Sequence, residues 1–285
     1  MSPLNLSLNF DLHCHSSVSD GVLEPASLLE RAAMQKVDVL ALTDHDDVAG
    51  LDVARQHAQR LGIHFIDGVE ISVSWQQQTL HVIGLNVDHR NAALLAGLAG
   101  IREGRKERAV RIAAQLAKAG ITDALAGAWR HAGNTELIGR MHFARYLVAQ
   151  GVCHDVQAVF NRYLTKGKPG YVSHQWADLR DVVGWIRSSG GRAVLAHPGR
   201  YPLNAGKMRT LLTEFCDAGG EAIEVATSNH TPEQRSNFAG LARRFNLMAS
   251  RGSDFHSPEE SWRELGRLPA LPETCLPVWH DWNIV

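Results

Sequence analysis

The feature that most restricts this chain is a rhythm of short apolar runs and helical stretches that stops midway and then resumes. Asn9–His15 (NFDLHCH) reads as a strand. Pro25–Gln35 reads as a helix with apolar residues Leu28, Leu29, Ala32 and Ala33, and Val37–Thr43 (VDVLALT) as a second strand. Ala49–Leu61 reads as a second helix stopped by Gly62, and Ile63–Ile66 and Thr79–Val87 as further strands. Over roughly residues 91–168 the pattern is nearly all helical. Beyond it come a helix at Leu179–Ser188, a strand at Arg192–His197, a helix at Met208–Ala218 and a strand at Ala222–Thr227. A helix at Pro232–Phe245 and a strand at Leu247–Ser253 complete the series. Such alternation predicts an α/β fold with a parallel sheet and crossover helices. The length of 285 residues suits one barrel with an insertion. The expected division is a barrel of residues 1–90 and 169–285, with 91–168 as a helical subdomain over its mouth. The Pro-rich stretch LPALPETCLP reads as a surface wrap.

The polar residues gather where the apolar runs end. The chain has 15 histidines. His13 and His15 close the first strand, Asp44 and His45 the second, Glu70 follows the third, His197 closes a later one, and Asp254 and His256 follow the last. In a βα barrel these ends share one face, where the loops build the active site. Period-two spacing puts His13 and His15 on one side of their strand, as two ligands of one metal require. His81 is mid-strand, with Ile83 and Leu85 on its side of the pleat. Burying such acids and histidines unpaired would cost several kcal/mol each, a penalty that a cluster of divalent cations removes.

Composition narrows the partners. Lys plus Arg is 29 and Asp plus Glu is 30, for a net charge of -1. Bulk positive charge for a long duplex nucleic acid is therefore absent, and any phosphate recognition is local. No apolar run is long enough to span a membrane, and MSPLNLSLNF lacks the pattern of a secretory leader. Cys14, Cys153, Cys216 and Cys275 are scattered without a CxxC pair, as expected of a cytoplasmic chain.

Six stretches carry a resemblance: DLHCHSSVSDG (Asp11–Gly21), LTDHD (Leu42–Asp46), GVEIS (Gly68–Ser72), LHVIG (Leu80–Gly84), LAHPGRY (Leu195–Tyr201) and SDFHS (Ser253–Ser257). In this order they resemble the PHP (polymerase and histidinol phosphatase) family within the amidohydrolase-like metallohydrolases. The SDG after HxH and the helical insertion look most like the branch acting on 3′,5′-nucleoside bisphosphates and short RNA 5′ ends. The resemblance implies a distorted (β/α)7 barrel and three divalent metals. His13, His15, Glu70 and Asp254 would hold the first, and Glu70, His81 and His197 the second, with Glu70 bridging. Asp20, His45 and His256 would hold the third. Asp20 stands where several histidinol phosphatases of the family carry histidine, which weakens that reading. Imidazole and carboxylate ligands suit manganese, with iron or zinc as alternatives. The expected nucleophile is a metal-bridging hydroxide rather than a side chain, because three cations neutralise the phosphoryl oxygens and acidify a bound water.

Substrate contacts are expected from Arg200, three residues after His197, and from Arg140 in GRMHFAR, which would cap the site from the insertion; both suit bidentate phosphate binding. His142, Lys168 and His230 are further candidates. Glu224 reads as supporting the ligands from behind, Cys14 as core, and the basic run Arg102–Arg108 as a solvated face rather than an RNA track. Sequence assigns none of Trp176, Trp185 and Trp262 to base stacking. The expected activity is removal of the 3′-phosphate from a 3′,5′-nucleoside bisphosphate. The alternatives are a 5′-to-3′ exoribonuclease on short 5′-phosphorylated RNA, a histidinol phosphatase, amide hydrolysis and a non-catalytic metal-binding module. The oligomeric state is not legible.

Overall fold

The computed structural model describes residues 8–284; most of the amino-terminal segment in which a leader was sought lies outside them. The barrel begins with β1 (Phe10–Asp11), α1 (Pro25–Met34), β2 (Val39–Leu42) and α2 (Leu51–Leu61). Pro25 opens α1, where its missing N–H leaves no bond unmade, and Gly62 ends α2 at φ 72°. β3 (His64–Trp75) then turns directly into β4 (Gln78–Leu85). The carboxy-terminal half supplies β5 (Ala177–Asp178), α7 (Leu179–Ser188), β6 (Arg192–Leu195), α8 (Ala205–Ala218), β7 (Ala222–Thr227), α9 (Pro232–Arg244) and β8 (Met248–Gly252). Between the halves lie α3 (Ala92–Lys118), α4 (Ala124–Trp129), α5 (Arg140–Ala149) and α6 (Val156–Val159), the last followed by a π-helical turn at Phe160–Leu164.

Seven strands form one sheet in the order β1-β2-β3-β4-β6-β7-β8, and β5 pairs beside β3. The ends nearly meet: Leu12 N donates to Arg251 O at 3.0 Å and Asp254 N to His13 O at 2.7 Å. The barrel expected from the rhythm is thus present, but it is not all parallel. β4 is antiparallel to both β3 and β6. One 12-residue strand continues through Glu70, past the strand expected at Ile63–Ile66, and the run GVEISVSW within it has the period-two alternation of a strand with one face buried. The two-residue turn, Gln76 and Gln77, has positive φ at both positions (44° and 63°), the backbone of a tight hairpin.

Alternation sorts the two faces of the sheet. Val69, Ile71 and Val73 pack outward with the helices, whereas Ile66, Ile83 and Leu85 pack inward with Val39, Ala41 and Val194. Glu70 lies opposite Ile83 and Ser72 opposite His81, so these polar side chains share the inner face. The tail does more than wrap the surface. Ala249 bridges to Pro277, Val278 is fully buried in the inner cluster, and Trp279 stacks on Phe10 with ring centroids 4.0 Å apart. It therefore forms the barrel floor.

The helical segment has its own core, in which Ala109, Ile112 and Leu116 of α3 meet Phe143, Ala144 and Leu147 of α5. Leu94, Leu98 and Ile101, earlier on the same helix, belong instead to the core around the barrel. The change of core thus falls inside α3, several residues after its expected start near Asn91. The segment touches the loops that follow the strands. Arg102 Nη1 donates to Asp46 O at 3.1 Å, Asn134 Nδ2 to Asp47 Oδ2 at 3.2 Å, and Arg145 Nη2 to Glu260 Oε2 at 2.6 Å.

Candidate metal centre and anion pocket

The nine residues expected to hold metals converge at the mouth of the barrel. His13 Nε2 lies 3.1 Å from His15 Nε2, 3.4 Å from Glu70 Oε2 and 3.3 Å from Asp254 Oδ1. Glu70 Oε1 lies 2.9 Å from both His81 Nδ1 and His197 Nε2, which are 3.3 Å apart. Asp20 Oδ1 lies 3.2 Å from His256 Nε2 and 3.8 Å from His45 Nε2. The three groups share members. His45 Nδ1 also reaches Glu70 Oε2 at 2.9 Å, and His15 stands close enough to join Asp20, His45 and His256.

Local backbone explains the convergence. The end of β2 continues beside β3, with Asp46 N donating to Glu70 O and Glu70 N to Asp44 O, which sets His45 against Glu70. Asp44 accepts from Ser16 N at 2.8 Å, Ser16 Oγ at 2.6 Å and Ser19 Oγ at 2.6 Å, folding the loop that presents Asp20. That loop passes so close to His15 that a Cβ at Gly21 would lie 2.4 Å from the His15 carbonyl oxygen. His197 and Asp254 have positive φ (26° and 54°), a strained turn at each strand end that only a supporting fold maintains.

The donor set fits divalent cations. His13 Nε2 and His15 Nε2 present two imidazole nitrogens to one point, and Glu70 Oε2 and His45 Nδ1 are buried without a hydrogen-bond geometry that satisfies them. Without a cation the cluster needs protons to balance its carboxylates. Burial opposes the protonation of His45, but Glu70 and Asp20 outweigh it and lift its pKa to about 9. Burial, with His256, pushes His15 down to about 3. Burial would raise Glu70, yet His81, His45 and His13 hold it well below the usual carboxylate range. Bound divalent ions relieve both mismatches, and nitrogen and oxygen donors without thiolate suit several first-row metals.

Glu224 supports this cluster from behind, as expected. Its Oε1 lies 2.9 Å from His13 Nδ1, and its other oxygen accepts from His197 N. A carboxylate on the far imidazole nitrogen fixes which nitrogen faces the metal. Tyr201 adds a second brace, accepting from His81 N at 2.9 Å and donating to Ala196 O at 2.8 Å. Cys14 faces away into the outer core, its Sγ donating to Ala41 O.

Arg200 pairs with Asp254 Oδ2, while Asp254 Oδ1 faces His13 and His15. The guanidinium therefore stands at the edge of the cluster. His142 and His230 differ from expectation, because the fold spends both ring nitrogens of each. Gly139 N donates to His142 Nδ1 at 3.0 Å, and His142 Nε2 meets Ser19 O at 3.1 Å. His230 Nδ1 meets Val225 O at 2.9 Å, and its Nε2 accepts from Gly199 N at 3.1 Å. Burial pushes His142 down to about 4 and lowers His230 as well, so both remain neutral latches. One braces the start of α5 beside Arg140; the other braces the turn that carries Arg200. Lys168 is exposed and makes no side-chain bond among the described residues.

The basic run on α3 is not simply a solvated face. Arg105 is buried, donating to Asp46 Oδ2 at 2.7 Å and to Ser72 Oγ at 2.9 Å, and it lies over the Trp176 ring. Arg108 also lies over the Trp176 ring, 5.4 Å from its centroid, and donates to Val172 O. Burial, with Arg140 and Arg105, pushes the Arg108 guanidinium down to about 9. Burial lowers Arg140 too. Among the described residues no carboxylate pairs with Arg108 or Arg140. Arg105 is tied to Asp46, the residue after His45, so these arginines adjoin the cluster. The sequence signal was the recurrence of Arg102, Arg105, Arg108 and Arg111 every three residues, a stripe winding along one helix.

Residues 11–188 match the PHP domain family. The chain is 50% identical over 273 residues to the 3′,5′-nucleoside bisphosphate phosphatase of Chromobacterium violaceum, covering 96% of each chain. It is 43% identical over 285 residues to the 5′-3′ exoribonuclease Rnm of Escherichia coli, covering 99% of this chain and 97% of that one. The solved structure of an amidohydrolase from Chromobacterium violaceum, with bound sulfate and no metal, superposes with a TM-score of 0.92 at 50% identity. That match covers 95% of this chain and 94% of the other. With the strand-end histidines and carboxylates converging as described, these likenesses make the chain a member of the PHP domain family.

Proposed function

We propose that the chain is a metal-dependent phosphohydrolase that removes the 3′-phosphate from a 3′,5′-nucleoside bisphosphate, giving the 5′-monophosphate. The observation that supports this reading is the nearness of two unlike sites: a cluster of histidines and carboxylates that fits cations, and two half-buried guanidiniums, Arg108 and Arg140, with no carboxylate partner among the described residues. A 3′,5′-bisphosphate has one phosphate for each. Its two dianions otherwise carry a desolvation penalty that one phosphate site cannot offset.

His13, His15, Glu70 and Asp254 would hold a first ion, Glu70, His81 and His197 a second, and Asp20, His45 and His256 a third, with manganese the expected metal. When bound, these ions neutralise phosphoryl oxygens and supply an activated water near neutral pH. The protein positions the rest. Arg200, anchored on Asp254, presents its remaining N–H groups to the phosphoryl group at the cluster. Arg108 and Arg140 take the 5′-phosphate, which fixes the nucleotide in one direction. Glu224 and Tyr201 keep His13, His197 and the β4 backbone from shifting as charge develops.

The same placement admits a second reading, supported by the likeness to the exoribonuclease Rnm. A 5′-phosphorylated RNA end would seat its terminal phosphate on the arginines and its first internal phosphate on the metals. The test compares kcat/KM of the manganese-loaded protein on a 3′,5′-bisphosphate, the matching 3′-monophosphate, a short 5′-phosphorylated RNA and histidinol phosphate. The bisphosphate is expected to exceed the 3′-monophosphate by on the order of ten- to a hundredfold, the worth of a charge-assisted contact. Equal rates would remove the pocket from the reading, and preference for histidinol phosphate would overturn it. Elemental analysis of the active protein is expected to find three ions per chain; one ion at most would refute the trinuclear arrangement.

A further inference from the structure

The loop after β8 is tied down on every side, yet it presents a bare indole to solvent. Ser261 Oγ accepts from His256 N at 2.7 Å and from Ser257 N at 3.0 Å. Glu260 pairs with Arg145 of α5, and Arg263 Nε donates to Ser228 O on the turn after β7 at 3.3 Å. Trp262 sits between these tethers and is 81% exposed, whereas Trp75 and Trp176 are buried. Exposing a whole indole on a firmly held loop brings no packing gain. Ser261, bound to the backbone of His256, holds the residue next to Trp262 against that member of the cluster.

Its neighbours have polar capacity to spare. Arg263 uses only Nε, and its terminal N–H groups make no bond among the described residues. Thr227 Oγ1 and Asn229 Oδ1, flanking the Ser228 to which Arg263 is tied, are buried polar atoms without a partner. An aromatic face and a free guanidinium edge together match a nucleotide: the base stacks and the phosphate pairs. Direction follows from the sheet. Arg105 ties the cationic pocket to Asp46 and Ser72, on the β2–β3 side of the cluster, while Trp262 and Arg263 stand on the β7–β8 side.

Resting on the proposed function, we infer that Trp262 and Arg263 form the subsite for the nucleotide that follows the scissile phosphate in a short 5′-phosphorylated RNA. Water adds to phosphorus, and the bond from phosphorus to the 3′-oxygen of the first nucleoside breaks. That oxygen takes a proton, and the shortened RNA keeps the phosphoryl group as its new 5′-phosphate. The first nucleotide leaves from the arginine side while the remainder is still held by its base.

The experiment measures kcat/KM for a 5′-phosphorylated trinucleotide RNA and for a mononucleotide 3′,5′-bisphosphate, in the wild type, Trp262→Ala and Trp262→Phe. Binding of a labelled trinucleotide to the metal-free chain is measured by anisotropy. Trp262→Ala is expected to lose about tenfold on RNA, mainly through KM, with matching loss of binding and no change on the bisphosphate; Trp262→Phe recovers most of it. Equal losses on both substrates, or an unchanged RNA rate, would overturn the inference, as would a wild type that cleaves the bisphosphate but not RNA. If the wild type cleaves neither while Trp262→Ala still weakens oligonucleotide binding, the proposed function fails and the stacking subsite stands. If binding is unchanged as well, both fall.

Discussion

Five imidazoles lie within 3.4 Å of the one carboxylate of Glu70, whereas Arg108 has three arginines for company and no carboxylate of its own among the described residues. Both regions are charged, the first largely buried and the second half-buried, and they are built differently. The first is made by strand ends and the turns that follow them, fixed by the sheet's hydrogen bonds, and its donors await positive charge. The second is made by helices resting on those turns, and its donors await negative charge. A fold that leaves two uncompensated sites of opposite demand side by side gains stability only when ligands fill them. On the proposed function, the contrast also separates roles: chemistry on the rigid barrel, phosphate selection on the inserted helices.

The largest expected effect tests the first region. Glu70→Gln keeps the shape but removes the charge that two metal groups share, so kcat/KM on the bisphosphate should fall by on the order of a thousandfold or more. His256→Ala, which touches one group, should lose less. Equal losses in the two variants would break the bridging role and the contrast with it.

Arg108→Gln tests the second region with two signs at once. It should lower kcat/KM on the bisphosphate by roughly ten- to a hundredfold and leave the 3′-monophosphate unaffected. Removing a half-buried charge that has no carboxylate partner should also raise the midpoint of urea unfolding of the metal-free chain. A variant that loses activity on both substrates, or that is less stable, would show that Arg108 holds structure instead of phosphate.

The smallest effect lies away from both. Gln76 and Gln77 occupy a turn that favours Asn-Gly, so the double substitution Gln76→Asn, Gln77→Gly should stabilise the chain by about 1 kcal/mol. Activity on both substrates should be unchanged, because the register of Glu70 against Ile83 is already set by the buried faces of the hairpin. A change in activity would mean that the turn itself governs where Glu70 stands.

Legibility followed the same division. Histidine and aspartate at the end of an apolar run are visible because the run marks the strand and the strand marks the face; His13, His45, His197 and Asp254 all have that form. Glu70 was visible as a residue but not as part of a strand, since Asp67 and Gly68 interrupt the apolar run that ends at Ile66, and pairing with β4 carries the strand through them. Arg105 and Arg108 were hidden because a run rich in both Arg and Glu has the composition of any wet helix, and burial depends on the distant Trp176. His142 and His230 show the opposite failure. Residue type makes a histidine able to bind, but only the positions of Gly139, Ser19, Gly199 and Val225 show that both nitrogens are already used.

The barrel floor adds a constraint of timing. Phe10 is made near the start of translation, and Trp279, which stacks on it, is made hundreds of residues later. Until then the lower end of the barrel has no lid, and the inner face around Phe10 and Ala222 stays open to water or to a chaperone. A nascent chain halted just after His256 would own every metal-cluster residue of the mouth and still lack its seal, so the far end of the barrel closes only after the mouth has been made.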